Sequence, residues 1–141
     1  DADAAYVCFT AGRPITMIGL DVTRKALCYP SIADRMDKIG NKASKLFVDL
    51  MRHFCKSQKE VFGWEGGPLH DPITIAWLID PSVVETKPMH AEIDIRSVQS
   101  YGRTNCDFFG YQKLEPNADV GIDIDAEKFW DMVEEVLKMY D

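Results

Sequence analysis

The sequence predicts an α/β fold: part of a mixed, mainly parallel sheet with helices on both sides and a small antiparallel element after residue 85. Three observations carry that expectation. A helix-like opening is followed by a glycine turn and a run apolar on both faces, which is half of an α/β repeat. Helical periodicity then dominates the middle of the chain. Beyond Pro81 the pattern shifts to short alternating segments closed by one amphipathic helix. At 141 residues the chain is one domain or part of one, residues 1–141, with no internal repeat.

Residues 1–11 open with Asp1-Ala2-Asp3-Ala4-Ala5, a capping acid followed by small residues, with carboxylates near the positive end of the helix dipole. Gly12 ends that helix and Pro14 leads into Ile15-Thr16-Met17-Ile18-Gly19-Leu20, expected to be a strand buried within a sheet. Asp21 follows at its carboxyl end, the edge where open α/β sheets bind ligands. Ser31 is expected to cap a short helix to Ile39. Asn41 should cap a longer one to about Lys59, with Leu46, Phe47, Leu50, Met51 and Phe54 as its apolar stripe. Residues 63–68, with three glycines and a proline, can be only a loop. A helix then starts with Asp71 as cap and Pro72 in its first turn. Its apolar content nearly all round predicts that it is buried. Strand signals follow in residues 90–95, 100–108 and 119–125. The last helix, residues 126–140, presents Phe129, Trp130, Val133, Val136, Leu137 and Tyr140 on one face.

A net charge of −7 argues against a nucleic-acid or anionic-membrane partner. No apolar run approaches the roughly 20 residues of a membrane span, and no basic-then-apolar leader opens the chain. The expectation is a cytoplasmic protein. Cys8, Cys28, Cys55 and Cys106 lack metal-knuckle spacing and sit among apolar neighbours, which predicts buried or half-buried thiols rather than zinc ligands.

The chemistry concentrates at Leu69-His70-Asp71-Pro72, where two titratable side chains follow a flexible loop at a helix start. Asp71 and Pro72 have ordinary capping explanations, but His70 adds nothing to capping. A loop-borne imidazole is well suited to moving protons. His53 and His90 read as structural, and Trp77 and Trp130 as core. Arg103 and Asn105 would suit an anion, with nothing nearby to support one.

Pro14-Ile15-Thr16-Met17-Ile18-Gly19-Leu20-Asp21-Val22-Thr23, followed by His70-Asp71-Pro72-Ile73 and then Ala76-Trp77-Leu78-Ile79-Asp80-Pro81, resembles the inosine/uridine-preferring nucleoside hydrolases, specifically their C-terminal part. The opening Asp1-Ala2-Asp3-Ala4-Ala5 and the closing Phe129-Trp130-Asp131 are similar to family segments as well, so the likeness runs the length of the chain. It implies an N-ribohydrolase of nucleoside salvage that splits ribonucleosides into base and ribose, and is homo-oligomeric when intact. It also implies that His70 acts as proton donor to the departing base and Asp71 as a ligand of calcium. The ion would activate a water and hold the ribose hydroxyls while C1′ passes through an oxocarbenium-like state. Trp64 matches a flap that stacks on the base, with a plain loop anchor as the other reading. Asp21 stands near the site or braces its own turn.

Two family features have no counterpart: the D-x-D-x-G-x-D-D cluster that supplies most calcium ligands and the general base, and the E-x-N stretch that binds ribose. One carboxylate cannot hold an ion that takes roughly 6–8 oxygens. The expectation is therefore an incomplete calcium site, and little or no activity without the missing N-terminal half. The rival reading is a non-catalytic fragment or degenerate relative serving as a binding or assembly module, with residues 15–20 exposed as an unpaired edge. A hydrolase of another type lacks any Ser-His-Asp, Cys-His or paired-carboxylate arrangement to support it.

Overall fold

The computed structural model describes all of residues 1–141. The fold is mixed α/β and falls into two compact units, Asp1–Gly19 with Thr86–Ile122, and Leu20–Glu85 with Asp123–Asp141. No helix is long and apolar enough to cross a membrane.

In the first unit, helix α1 (Ala2–Thr10) is capped by the Asp1 carboxylate, which accepts from the Ala4 amide at 2.9 Å. Gly12 then turns the chain at φ +65°. Strand β1 (Thr16–Met17) pairs in parallel with β5 (Ala118–Ile124), Thr16 opposite Asp119 and Met17 opposite Val120. With β2 (Val84–Met89) the order is β1-β5-β2. Strands β3 (Ala91–Ile93) and β4 (Thr104–Cys106) form a separate antiparallel pair, the small element expected after residue 85. The local core is Met89, Ala91, Ala118 and Val120, with Phe9, Ile15, Met17 and Ile122 packed around it. The Asn117 side chain ties this core together: it accepts from the Ala91 amide and donates to the carbonyls of Ala91 and Phe9.

The second unit holds α2 (Leu20–Thr23), α3 (Pro30–Asp37), α4 (Lys42–Phe62), α5 (His70–Ile79), a 3-10 turn (Pro81–Val83) and α6 (Ala126–Lys138). Val22, Met36, Val48, Ile73, Val83 and Phe129 are fully enclosed and make its centre. Helix α6 packs against α3, α4 and α5. Polar clasps secure it. Arg35 meets Asp131 and Glu134, and Asp80 meets Lys128. The Asn41 amide nitrogen donates to the carbonyls of Leu137 and Tyr140, both at 2.7 Å, while its oxygen caps α4 on the Ser44 amide.

Several sequence expectations need correction. The apolar run 15–20 forms only a two-residue, half-buried strand, because β1 has a neighbour on one side alone and Leu20 already belongs to α2. Ser31 lies inside α3 rather than capping it. Pro30 takes the first helical position, with Tyr29 at the cap. The buried face of α4 is Ser44, Val48 and Met51. Leu46 and Leu50 lie two residues on from Ser44 and Val48, hence on the opposite side of a 3.6-residue turn, and are exposed. Helix α5 buries only Ile73 and Ala76, while Ile75, Leu78 and Ile79 are 56, 68 and 67% exposed. In α6, Phe129, Trp130 and Leu137 are buried, but Val136 is exposed and Tyr140 lies beyond the helix. Cys28 is buried and Cys55 half-buried as expected. Cys8 and Cys106 are exposed, Cys8 because α1 buries none of its residues fully. Strand β2 was not anticipated: Lys87 and Pro88 interrupt its pattern.

Candidate functional site

The segment that presents His70 is set by glycines. Helix α4 ends at Gly63, which adopts φ +72° and donates its amide to the Lys59 carbonyl. Four residues later Gly67 pairs with Cys28: the Cys28 amide donates to the Gly67 carbonyl at 2.8 Å, and the Gly67 amide returns to the Cys28 carbonyl at 3.3 Å. A Cβ on Gly66 would stand 2.9 Å from the Cys28 carbonyl oxygen, and one on Gly67 would stand 3.0 Å from Cys55 Sγ and from the Phe54 ring. Only glycine lets the loop lie this close. Cys55 Sγ also donates to the Cys28 carbonyl, and burial followed by the neighbouring Cys55 pushes the Cys28 thiol up to about 12.

His70 is the first residue of α5 and half-buried. Its Nδ1 lies 2.7 Å from the hydroxyl of Thr23, the last residue of α2 and itself 1% exposed. Its Nε2 carries no protein partner. Leu69, whose side chain makes no capping bond, occupies the N-cap position, so the expected cap Asp71 is instead the second helical residue. Its exposed carboxylate therefore stands free of capping duty near the positive end of the helix dipole. The Thr74 hydroxyl closes this turn by donating to the Asp71 backbone carbonyl.

Trp64 is half-buried, stacked on Phe62 with ring centroids 5.2 Å apart, with the Arg24 guanidinium over the indole at 5.0 Å. Asp21 is exposed in the first turn of α2. One short stretch thus governs the neighbourhood: Thr23 holds His70 and Arg24 holds Trp64. Thr23 escaped the sequence reading, which weighed Asp21 as the ionisable member of the Leu20-Asp21-Val22-Thr23 motif. A hydroxyl at the end of a ligand-edge motif was the available signal.

No group of three or more His, Cys, Asp or Glu side chains comes together to hold a metal ion. Asp71 alone does not fit a calcium site, which takes roughly 6–8 oxygens. Two hollows of about 370 and 510 Å³ lie in the first unit, and neither His70 nor Asp71 lines them. His70 is half-buried and Asp71 exposed.

The model of the "Inosine-uridine preferring nucleoside hydrolase" family matches residues 1–131. The pyrimidine-specific ribonucleoside hydrolase RihB of Shigella flexneri is 43% identical over 140 residues, covering 99% of this chain and 45% of that protein. The corresponding protein of Escherichia coli O157:H7 gives the same figures, 43%, 99% and 45%. Among solved structures, the purine-preferring ribonucleoside hydrolase from Gardnerella vaginalis superposes with a TM-score of 0.83 at 29% identity, over 99% of this chain and 45% of that one. A plant nucleoside hydrolase superposes with a TM-score of 0.83 at 20% identity, covering 98% and 45%, which supports the fold alone. The chain spans about half the length of the relatives it matches and corresponds to their C-terminal part. With its helix-borne His70–Asp71 pair and an end-to-end match to that part of the fold, the chain belongs to the inosine-uridine preferring nucleoside hydrolase family.

Proposed function

We propose that this chain supplies the base-side portion of an N-ribohydrolase active site, whose other wall comes from the missing N-terminal half of the fold. The observation that carries the reading is the His70–Asp71 pair at the start of α5, with Nδ1 of the imidazole engaged by Thr23 and Nε2 left open. In the reaction the C1′–N bond breaks and its electron pair leaves with the base. His70 delivers a proton to the departing nitrogen, water oxygen bonds to C1′, and the water's proton passes to a base outside this chain. Asp71 is read as one ligand of a calcium site whose remaining oxygens come from the other half. Trp64 is carried as a stacking surface for the nucleobase and Asp21 as a carboxylate at the edge of the site. Nucleoside salvage in the cytoplasm, by a homo-oligomer once intact, is the setting this reading supposes.

The test is release of ribose from inosine and uridine, with and without calcium, by the chain alone and by the chain co-expressed with the N-terminal half of a RihB relative. Turnover is expected only from the pair, and His70→Ala should lower it about 100-fold or more. Turnover by the chain alone, or indifference to His70→Ala, would overturn the assignment.

A second reading, a non-catalytic assembly module, draws on the apolar residues Ile75, Leu78 and Ile79 facing outward from α5 and on the open edge of β1. A reconstituted pair that assembles but lacks turnover would favour it.

A further inference from the structure

We propose that Thr23 is a positioning residue for His70, fixing the imidazole so that Nε2 is the nitrogen presented to the nucleobase. The inference rests on the hydrolase reading above and adds to it the group that aims the acid. Its basis is geometric. Thr23 Oγ1 lies 2.7 Å from His70 Nδ1, across 47 residues of sequence, and α2 packs against α5. Thr23 is 1% exposed, so its hydroxyl has no access to bulk water and spends its hydrogen-bonding capacity on the ring. A hydroxyl both donates and accepts. It therefore accepts from Nδ1–H when the ring carries both protons, as a proton donor must, and still holds Nδ1 when the ring is neutral. With Nδ1 engaged throughout, only Nε2 can reach a leaving group, and rotation of the ring about its Cβ–Cγ bond is suppressed. Partner groups on the far nitrogen of a working histidine set its orientation in this way.

Position and chemistry both single out the hydroxyl. Val22 beside it is buried and apolar, and Asp21 is exposed. Thr23 is the member of the motif whose side chain bonds the imidazole.

Two measurements test the proposal, and their failures are distinguishable. On the chain itself, ring ¹⁵N spectra of the three histidines are compared for the wild type, Thr23→Val and Thr23→Ser, with exposed His53 as the solvated reference. His70 should give ring shifts distinct from those of His53 in the wild type and Thr23→Ser, and shifts resembling His53 in Thr23→Val. In the reconstituted pair, Thr23→Val should lower kcat roughly 10- to 100-fold with KM within about twofold, and Thr23→Ser should restore most of it. In a His70→Ala background, Thr23→Val should have no further effect. Unchanged His70 spectra in Thr23→Val overturn the proposal, as does a further fall in kcat when Thr23→Val is added to the residual turnover of His70→Ala. Distinct His70 spectra in a pair without turnover sink the hydrolase reading and the catalytic role of Thr23 with it, leaving the contact as structural.

Discussion

Gly66→Ala tests whether close approach in the loop before α5 matters as much as the geometry implies. The added methyl would meet the Cys28 carbonyl oxygen at 2.9 Å, and the Cys28 carbonyl carbon and Leu27 Cβ at 3.1 Å. Two of those atoms are backbone, so the loop must move, and overpacking of this kind costs about 1–3 kcal/mol. Movement also strains the paired Cys28–Gly67 hydrogen bonds at 2.8 and 3.3 Å, each worth about 1 kcal/mol. The combined loss should be about 2–4 kcal/mol. Gly63→Ala is the matched control: its new Cβ meets nothing within 4 Å, and only the left-handed φ of +72° is unfavourable, at about 1 kcal/mol. Urea unfolding of both variants reads the difference directly, with an unchanged slope showing that the native and unfolded states are otherwise alike. If Gly66→Ala proves no worse than Gly63→Ala, the loop is not held by its approach to Cys28, and the account of how His70 is placed fails.

Asn41→Ser keeps a cap acceptor for α4 but deletes the hydrogen bonds donated to the Leu137 and Tyr140 carbonyls, a loss of about 1–3 kcal/mol. Asn41→Ala should lose about 1 kcal/mol more with the cap. Equal losses in urea unfolding would show that the clasp on Leu137 and Tyr140 is idle. In acid, Asp80 is held down to about 2, first by its hydrogen bond from Lys128 and then by Ser82, and Asp94, Asp123 and Glu134 are lowered as well. A carboxylate whose folded pKa lies below its unfolded value adds stability that is whole above about pH 4 and drains as pH falls toward about 2. Thermal melts from pH 5 to 2 should therefore fall more steeply for the wild type than for Asp80→Asn. At the alkaline end the sign reverses: Cys28 stays protonated in the fold up to about 12, so stability should decline above about pH 9 as the unfolded thiol ionises first. Cys28→Ala should flatten that decline.

Periodicity located most elements because it reports which side chains gather on one side. The caps of α1 and α4 followed from Asp1 and Asn41 for the same local reason: a side-chain oxygen beside bare amides. What periodicity cannot report is the identity of the surface that does the burying. Helix α5 has apolar residues nearly all round, yet this chain covers only its Ile73 and Ala76 side. In α4, bulk favoured Leu46 and Leu50, whereas the helix crossing selected small Ser44 at full burial. At the site, His70 and Asp71 were visible from their adjacency. For Thr23 the motif marked the place, but spacing could not reveal its partner, 47 residues away.

The ties that close this fold join its two ends. Lys25 reaches Asp123 across 98 positions, Tyr101 reaches Asp3 across 98, and Asn117 reaches Phe9 across 108. Such distant pairings reward the chain only after long loops have closed, which slows folding. During synthesis α1 and β1 leave the ribosome before β5, so β1 gains its neighbour only once β5 has followed. Until then their apolar side chains are open to chaperones or to another nascent copy, so expression at low temperature, with slower synthesis and weaker hydrophobic association, should favour the native chain over aggregates.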